Sequence, residues 1–285
     1  MNKDTVSNSE KQRFVILAPE TESNVAWGSR STLDERKHKK LLFDLQRLRG
    51  DVYREHHPVW TAASRIFASG LSADGRHIQP TDPQSWHVLL QDNDGRVVGC
   101  SRYRPVKGNF SDLGARHSSL ARSAAFGSKL RTAVESHIKR AKADRLTYGE
   151  VGGWALSPEQ RCSTAAINIA LMTYVLADRL GGGMGITTAT TRYQSASILR
   201  RLGGERLAGL PAYYEPKYGC VIEILGFDIR SLGPQFTRKL GHLRDCLESI
   251  DVVFRSEVRR KAPAFTDLRF PYPATPAAAA AYAIS

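Results

Sequence analysis

Residues Glu150 to Asn168 read EVGGWALSPEQRCSTAAIN. The first seven read as a strand, with Gly152-Gly153 marking a kink inside it. Pro158-Glu159-Gln160-Arg161 makes a turn, Ser163 or Thr164 can cap a helix, and Ala165-Ala166 opens a segment that is apolar nearly all round until Arg179. A helix of that kind is buried. Its N-terminus, following directly on a strand, presents unpaired N–H groups and a partial positive charge, the physical basis of a phosphate site.

Working outward, Gly181 to Gly183 ends that helix, and Ile186 to Thr191 returns as a strand rich in β-branched residues. Ser195 to Leu202 reads as a short helix closed by Gly203-Gly204, and Tyr218 to Leu225 as a last strand. On the N-terminal side, Arg13 to Ala18 is a short strand. From Leu33 to Tyr53, apolar residues recur at three- and four-residue steps, which predicts an amphipathic helix ended by His56-His57-Pro58. Trp86 to Leu90 and Val97 to Tyr103 flank Asp92-Asn93-Asp94-Gly95, the clearest hairpin signal in the chain. A basic helical region is expected between Asp112 and Arg145.

Beyond Gly233, the residues Phe236, Leu240, Leu243, Leu247, Ile250 and Phe254 alternate steps of four and three and read as one helix with a narrow apolar seam. The organisation expected is an arm over 1–12, a main domain over 13–230, a C-terminal helix within 231–262, and a Pro/Ala-rich tail over 263–285.

The chain has 285 residues, enough for a full hydrophobic core, and a formal net charge of +13. That charge names polyanions as a class of partner, either nucleic acid or an acidic protein. No zinc-finger spacing, GxxG loop or aromatic nucleotide-binding strand accompanies it, so nucleic acid is the lesser reading. The four cysteines form no CxxC pair, and the opening residues lack a charged-then-apolar pattern, so a reducing cytoplasm is the expectation. The longest apolar run is broken by Asn168, Asp178 and Arg179, so no membrane span is expected. Glu55-His56-His57 lacks the i, i+4 spacing of a helical zinc site, and no metal site is assigned.

The order of elements resembles that of the GNAT N-acyltransferases. The resemblance implies an α/β fold, a mixed twisted sheet of seven strands or slightly fewer flanked by helices, with a helical C-terminal extension. In that fold two central strands splay apart around the pantetheine arm of an acyl thioester. Glu150 to Arg161 looks like the family's fourth strand and donor loop, and ASILRRLG over Ala196 to Gly203 like its later helix.

Thr164 stands where the loop's first glycine is usual and Ala166 where the second is, which narrows the cradle to fit a single phosphate. Leu48-Arg49, Val52-Tyr53 and Trp60, then GCSRYRP over Gly99 to Pro105, resemble motifs of the acyl-homoserine-lactone synthases and the N-acyl amino acid synthases. Gly153 replaces the arginine of the lactone synthases' "E.SR" pattern and points away from a lactone product.

The resemblance thus implies an N-acyltransferase moving a long-chain acyl group from an acyl thioester, acyl carrier protein being the implied carrier, to the amine of an amino acid or related metabolite. Glu150 is the implied catalytic base. Trp154, Ala155, Leu156, Arg161, Cys162, Ser163, Thr164, Ala165 and Ala166 are the implied donor contacts, and Arg49, Arg102 and Tyr103 the implied acceptor contacts. No tightly bound cofactor is implied, the acyl thioester being a co-substrate on carrier protein or coenzyme A. Two alternatives stand beside this reading: an acetyl-CoA-dependent acetyltransferase, and a basic binding module without catalysis.

Overall fold

A five-residue strand of β-branched and aromatic residues, β1 (Arg13–Leu17), starts the structure, a computed structural model that describes residues 12–22, 30–55, 71–216 and 218–255. Trp60 and the His56-His57-Pro58 stop signal lie outside the described residues, as do nearly all of the N-terminal arm and the whole Pro/Ala-rich tail. The short strand β2 (Ser31–Leu33) leads into α1 (Glu35–Glu55), whose Leu41, Leu45, Leu48 and Val52 are buried as the periodicity requires. The hairpin strands follow as β3 (Trp86–Gln91) and β4 (Val97–Val106), with Gly95 at φ +77° in the turn, a backbone region that glycine enters without cost.

The basic region is helical only over α2 (Gly127–Ala143); short 3-10 turns occupy Phe110–Asp112 and Gly114–His117. Next come β5 (Thr147–Leu156), α3 (Ala165–Arg179), β6 (Gly182–Thr190), α4 (Ser195–Arg201), β7 (Glu205–Arg206), β8 (Tyr213–Glu215), β9 (Cys220–Asp228), α5 (Pro234–Leu247) and β10 (Asp251–Phe254). Among the described residues these strands form one ten-stranded mixed sheet in the order β2-β10-β1-β3-β4-β5-β6-β9-β7, with β8 beside β7 on β9.

Two expectations change here. The sheet is wider than seven strands, because β2, β7 and β8 are two or three residues long, too short to show an alternating pattern. The C-terminal seam is not one helix. α5 stops at Leu247, and Asp251–Phe254 pairs in parallel with β1. Ile250 and Phe254 continued the helical spacing by coincidence, while Val252-Val253 carried the strand preference.

The strand pairings that position the site centre on β5. It runs antiparallel to β4, with Gly99 opposite Leu156, Cys100 opposite Ala155 and Arg102 opposite Gly152, so one residue of β4, Ser101, faces two of β5, Gly153 and Trp154. This is a β-bulge, and Gly153 supplies the φ of +60° that it needs. On its other edge β5 pairs in parallel with β6, but only from Thr147 to Val151. Beyond Val151 the two strands no longer pair, while β6 stays paired with β9 along its other edge and the end of β5 with β4. The two-glycine kink therefore sits where the sheet opens, the splay expected of a GNAT-type fold.

Helices cover both faces. α3, α4 and α5 pack with Ile16, Val88, Tyr103 and Phe227 in a large apolar cluster. On the opposite face, α1 closes one cluster with Leu89, Cys100 and Ala155, and α2 closes another with Tyr148, Met184 and Ile186.

Candidate active site

Between the α1 and α2 clusters runs a strip of buried charge. It follows from strand alternation: Arg102 and Arg104 are two residues apart on β4 and share a face, and Glu150 lies directly opposite Arg104 on β5. Arg104 Nη2 donates to Glu150 Oε2 at 2.7 Å and to the carbonyl of Asp112, and the Gly114 N–H donates to Glu150 Oε1 at 2.8 Å. Glu150 is 6% exposed and thus anchors the turn over Gly114–His117 to the sheet. Arg49 enters from α1, entirely buried, with Nη1 and Nη2 donating to the two Asp82 carboxylate oxygens at 2.9 and 2.5 Å and Nη2 also to the His77 carbonyl. Such a bidentate pair is the strong form of the interaction.

Arg102 differs from its neighbours. It is 7% exposed, and its Nη1 donates to the amide oxygen of Gln79 and the hydroxyl of Thr81, both neutral. Its Nε is buried without a hydrogen-bond partner, as are those of Arg49 and Arg104, but unlike theirs its guanidinium has no carboxylate within ion-pair distance among the described residues. Burial accordingly pushes its pKa below the usual guanidinium range, with Glu150 and Asp82 opposing the shift from a distance. The strip holds three buried guanidiniums, Arg49, Arg102 and Arg104, against two carboxylates, Asp82 and Glu150. Among the described residues Arg102 is the one of these three without a carboxylate at ion-pair distance; a third buried carboxylate, Glu215, accepts from the Ser119 N–H and acts on Tyr218 together with Arg102 and Glu150.

Around Arg102 stand β5 and two tyrosines. A Cβ placed on Gly152 would lie 3.1 Å from Arg102 Nη2, and one on Gly153 3.0 Å from Arg49 Nη1 and 3.4 Å from Arg102 Cβ. A side chain at 153 would thus enter space already held by two arginines, which is the local reason for glycine there. Tyr53 and Tyr218 both lie within electrostatic reach of Arg102, and burial raises the pKa of each phenol.

The implied donor residues occupy the end of β5 and the turn after it. Trp154 and Leu156 are half-buried against the α3 cluster, and Ala155 is buried under α1. Arg161 follows a short 3-10 turn, Cys162 is exposed with φ +61°, and α3 begins at Ala165. The Thr164 side chain makes no cap. Instead Ser163 Oγ accepts from the Ala165 N–H at 3.1 Å and donates to the Gln160 carbonyl. Ala166 is half-buried in the first turn of α3.

Two implied acceptor contacts fall elsewhere. Tyr103 lies between Arg102 and Arg104 in sequence and so points to the opposite face, fully buried, with Gly149 and Gly182 making room for its ring. Arg49 has both terminal nitrogens engaged by Asp82 and His77, and it supports the strip from behind. Of the acceptor set Arg102 is the one guanidinium held by neutral partners alone; Arg49 Nε and the Tyr103 hydroxyl, like Arg102 Nε, are buried without a hydrogen-bond partner. Asp82, Gln79 and Thr81 were missed because they sit in a polar loop without periodicity. Arg104 was within reach, since i, i+2 on a strand puts it beside Arg102.

Among the described residues there is no cluster of three His, Cys, Asp or Glu side chains placed to hold a metal, and no helix is long and apolar enough to cross a membrane. Two open grooves, of about 740 and 470 Å³, lie near Phe110 and Arg131 and near Trp86 and Lys142, and neither is lined by Arg102 or Glu150.

No protein-family model matches the chain, and no curated protein matches its sequence. Solved structures do match. The chain is similar in structure to acyl-homoserine-lactone synthases. BjaI, a CoA-dependent acyl-homoserine lactone synthase solved with SAM and isopentyl-CoA, is 16% identical over 84% of this chain and 92% of its own, with a TM-score of 0.48. MesI, another CoA-dependent acyl-homoserine lactone synthase, is 19% identical over 82% of this chain and 95% of its own, with a TM-score of 0.49. FeeM, an N-acyl amino acid synthase from uncultured soil microbes, is 9% identical over 78% and 93%, with a TM-score of 0.45.

Proposed function

We propose that the protein transfers an acyl group from a thioester to the amine of a metabolite that bears a carboxylate, an amino acid being the simplest. The observation that carries this reading is Arg102, a buried guanidinium whose partners are all neutral. Burying an unpaired charge costs several kcal/mol, on the order of 3–5 where one partner of a buried pair is missing. A carboxylate on the acceptor removes that cost on binding and forms a charge-assisted pair beside the opening between β5 and β6.

In the step itself, the neutral amine attacks the thioester carbonyl. A C–N bond forms, the C–S bond breaks, and the sulfur leaves as a thiolate that takes up a proton from solvent. The amine's proton passes to a base. Glu150 is that base, directly or through a water: each of its oxygens already accepts one hydrogen bond and has a lone pair for another. The N–H of Trp154, on the bulged end of β5, holds the developing oxyanion, while that of its neighbour Ala155 faces Cys100 on β4.

The donor arm lies along the open edge of β5, with its phosphate at Arg161 to Ala166. Carrier protein is the proposed donor for two reasons. Thr164 narrows the cradle to one phosphate, and a net charge of +13 complements an acidic protein.

Expression of the chain in a bacterium, followed by mass spectrometry of lipid extracts, tests this. New N-acyl amino acids are expected with the wild type, and their amount drops at least ~100-fold in Glu150→Gln, the size of a general-base contribution. Wild-type extracts without any acylated amine would contradict it.

A further inference from the structure

Arg161, at the turn between β5 and α3, is held from two sides. Its Nη1 and Nη2 donate to Oε1 and Oε2 of Glu55, the last residue of α1, at 3.0 and 2.6 Å. Its guanidinium carbon also lies 5.9 Å from the centre of the Tyr193 ring, in the turn that follows β6. β5 and β6 are the strands that part, and the guanidinium, carried just after β5, reaches Glu55 at the end of α1 on one side and Tyr193 after β6 on the other. Both turns are set in costly shapes: Cys162, Tyr193 and Gln194 have φ of +61°, +54° and +60°, a region that non-glycine residues seldom occupy. Glu159, two residues before Arg161, brings a second carboxylate within electrostatic reach of it.

A carboxylate and a phosphate use the same bidentate face of a guanidinium. Glu55 therefore occupies the place a donor's phosphate would take, and wherever it moves on exchange, its negative charge stays nearby. The repulsion grows with the number of charges the donor carries. Coenzyme A brings a diphosphate and a 3′-phosphate, whereas phosphopantetheine on a carrier protein brings one phosphodiester.

We propose that Glu55 is a donor-selecting residue, which disfavours the polyanionic coenzyme A and admits the singly charged phosphodiester of a carrier-bound arm. This rests on the reading above that the β5–α3 junction receives the donor's phosphate, and it adds a residue on α1 that discriminates between donors. Tyr193 keeps the guanidinium in place while its anionic partner is exchanged.

The test uses the full chain as wild type, Glu55→Gln and Glu55→Lys, with Glu159→Gln as a nearby charge change that breaks no bond to Arg161. Calorimetry gives the affinities for coenzyme A and for holo acyl carrier protein, whose arm is the phosphodiester, and acyl transfer gives kcat/KM with acyl-CoA and with acyl carrier protein. Thermal melting shows that each variant is folded. Glu55→Gln is expected to tighten coenzyme A by roughly 3- to 10-fold and to leave carrier-protein turnover within about 2-fold; Glu55→Lys goes further, and the effect shrinks in high salt. Measurable binding of both ligands with an unchanged ratio in Glu55→Gln, or a loss of both alike, overturns the selecting role and leaves the transfer reaction intact. No binding of either ligand by folded wild type overturns the phosphate site itself, and this inference with it.

Discussion

Arg102, Arg104 and Arg49 are alike in type and burial but differ in what each faces, and this makes their removal informative. Arg104→Met leaves Glu150 buried without its cation, and Arg49→Met does the same to Asp82, so each should lose about 3–5 kcal/mol of stability. Arg102→Met removes the charge that has no anion. The two neutral hydrogen bonds to Gln79 and Thr81 are lost, but so is the cost of an unpaired buried charge, so stability should stay level or rise while acceptor recognition is abolished. Denaturant unfolding of the three variants checks this ordering. A loss for Arg102→Met as large as the other two would show that the guanidinium is structural.

The same network sets an acid limit. Burial lowers the pKa of His87 to about 4, and its Nε2 lies 3.1 Å from the Asp82 carbonyl. The unfolded chain binds that proton near pH 6.5 and the folded chain only near 4, so stability is complete above about 6.5 and falls as pH drops through this window, by on the order of 3 kcal/mol. His137, likewise lowered to about 4 by burial, loses stability over the same range. Asp82 acts further down. Burial would raise its pKa, but the hydrogen bonds and charge of Arg49 bring it to about 2, so its contribution is lost only below about pH 4. Melting temperatures between pH 7 and 4.5 should fall for wild type and fall less for His87→Gln. Equal slopes would place the acid sensitivity elsewhere.

At the level of elements, the bulge in β5 is what opens the sheet. Gly153 combines a φ of +60° with a Cβ direction that runs into Arg49. Gly153→Ala should therefore destabilise by about 1–2 kcal/mol from backbone strain, with more from the contact, and should weaken acyl transfer by shifting the end of β5. Unchanged stability and turnover would mean that the bulge tolerates a side chain. This element was legible in advance: two glycines inside a strand-like run predicted the irregularity, and the strand-turn-helix around EVGGWALSPEQRCSTAAIN placed α3 within a residue or two. Its consequence was not. Which face Arg102 takes, and that Tyr103 takes the other, follows from alternation once β4 is placed, yet motif matching had grouped the two. β10 hid inside a helical spacing, and Asp82 in a loop whose pairing with Arg49 spans 33 residues of chain.

Across the whole molecule, the apolar patterns determined three layers: a mixed sheet with α1 and α2 on one face and α3, α4 and α5 on the other. The strip of buried charge occupies the seam between the two smaller apolar clusters, where the sheet carries Arg102, Arg104 and Glu150 in place of apolar side chains. Hydrophobic periodicity specifies where cores are and is silent about seams, so the fold was readable from the chain and the charge balance of the site was not. The central proposal is that Arg102, a buried guanidinium whose hydrogen-bond partners are neutral, selects an acceptor that brings a carboxylate. It is tested most directly by steady-state acylation of an amino acid and of its decarboxylated amine, with wild type and Arg102→Met. Wild type should prefer the amino acid by roughly 100-fold or more in kcat/KM, the usual worth of a buried charge-assisted pair, and Arg102→Met should lose that preference. Equal use of the two acceptors by the wild type would contradict the account.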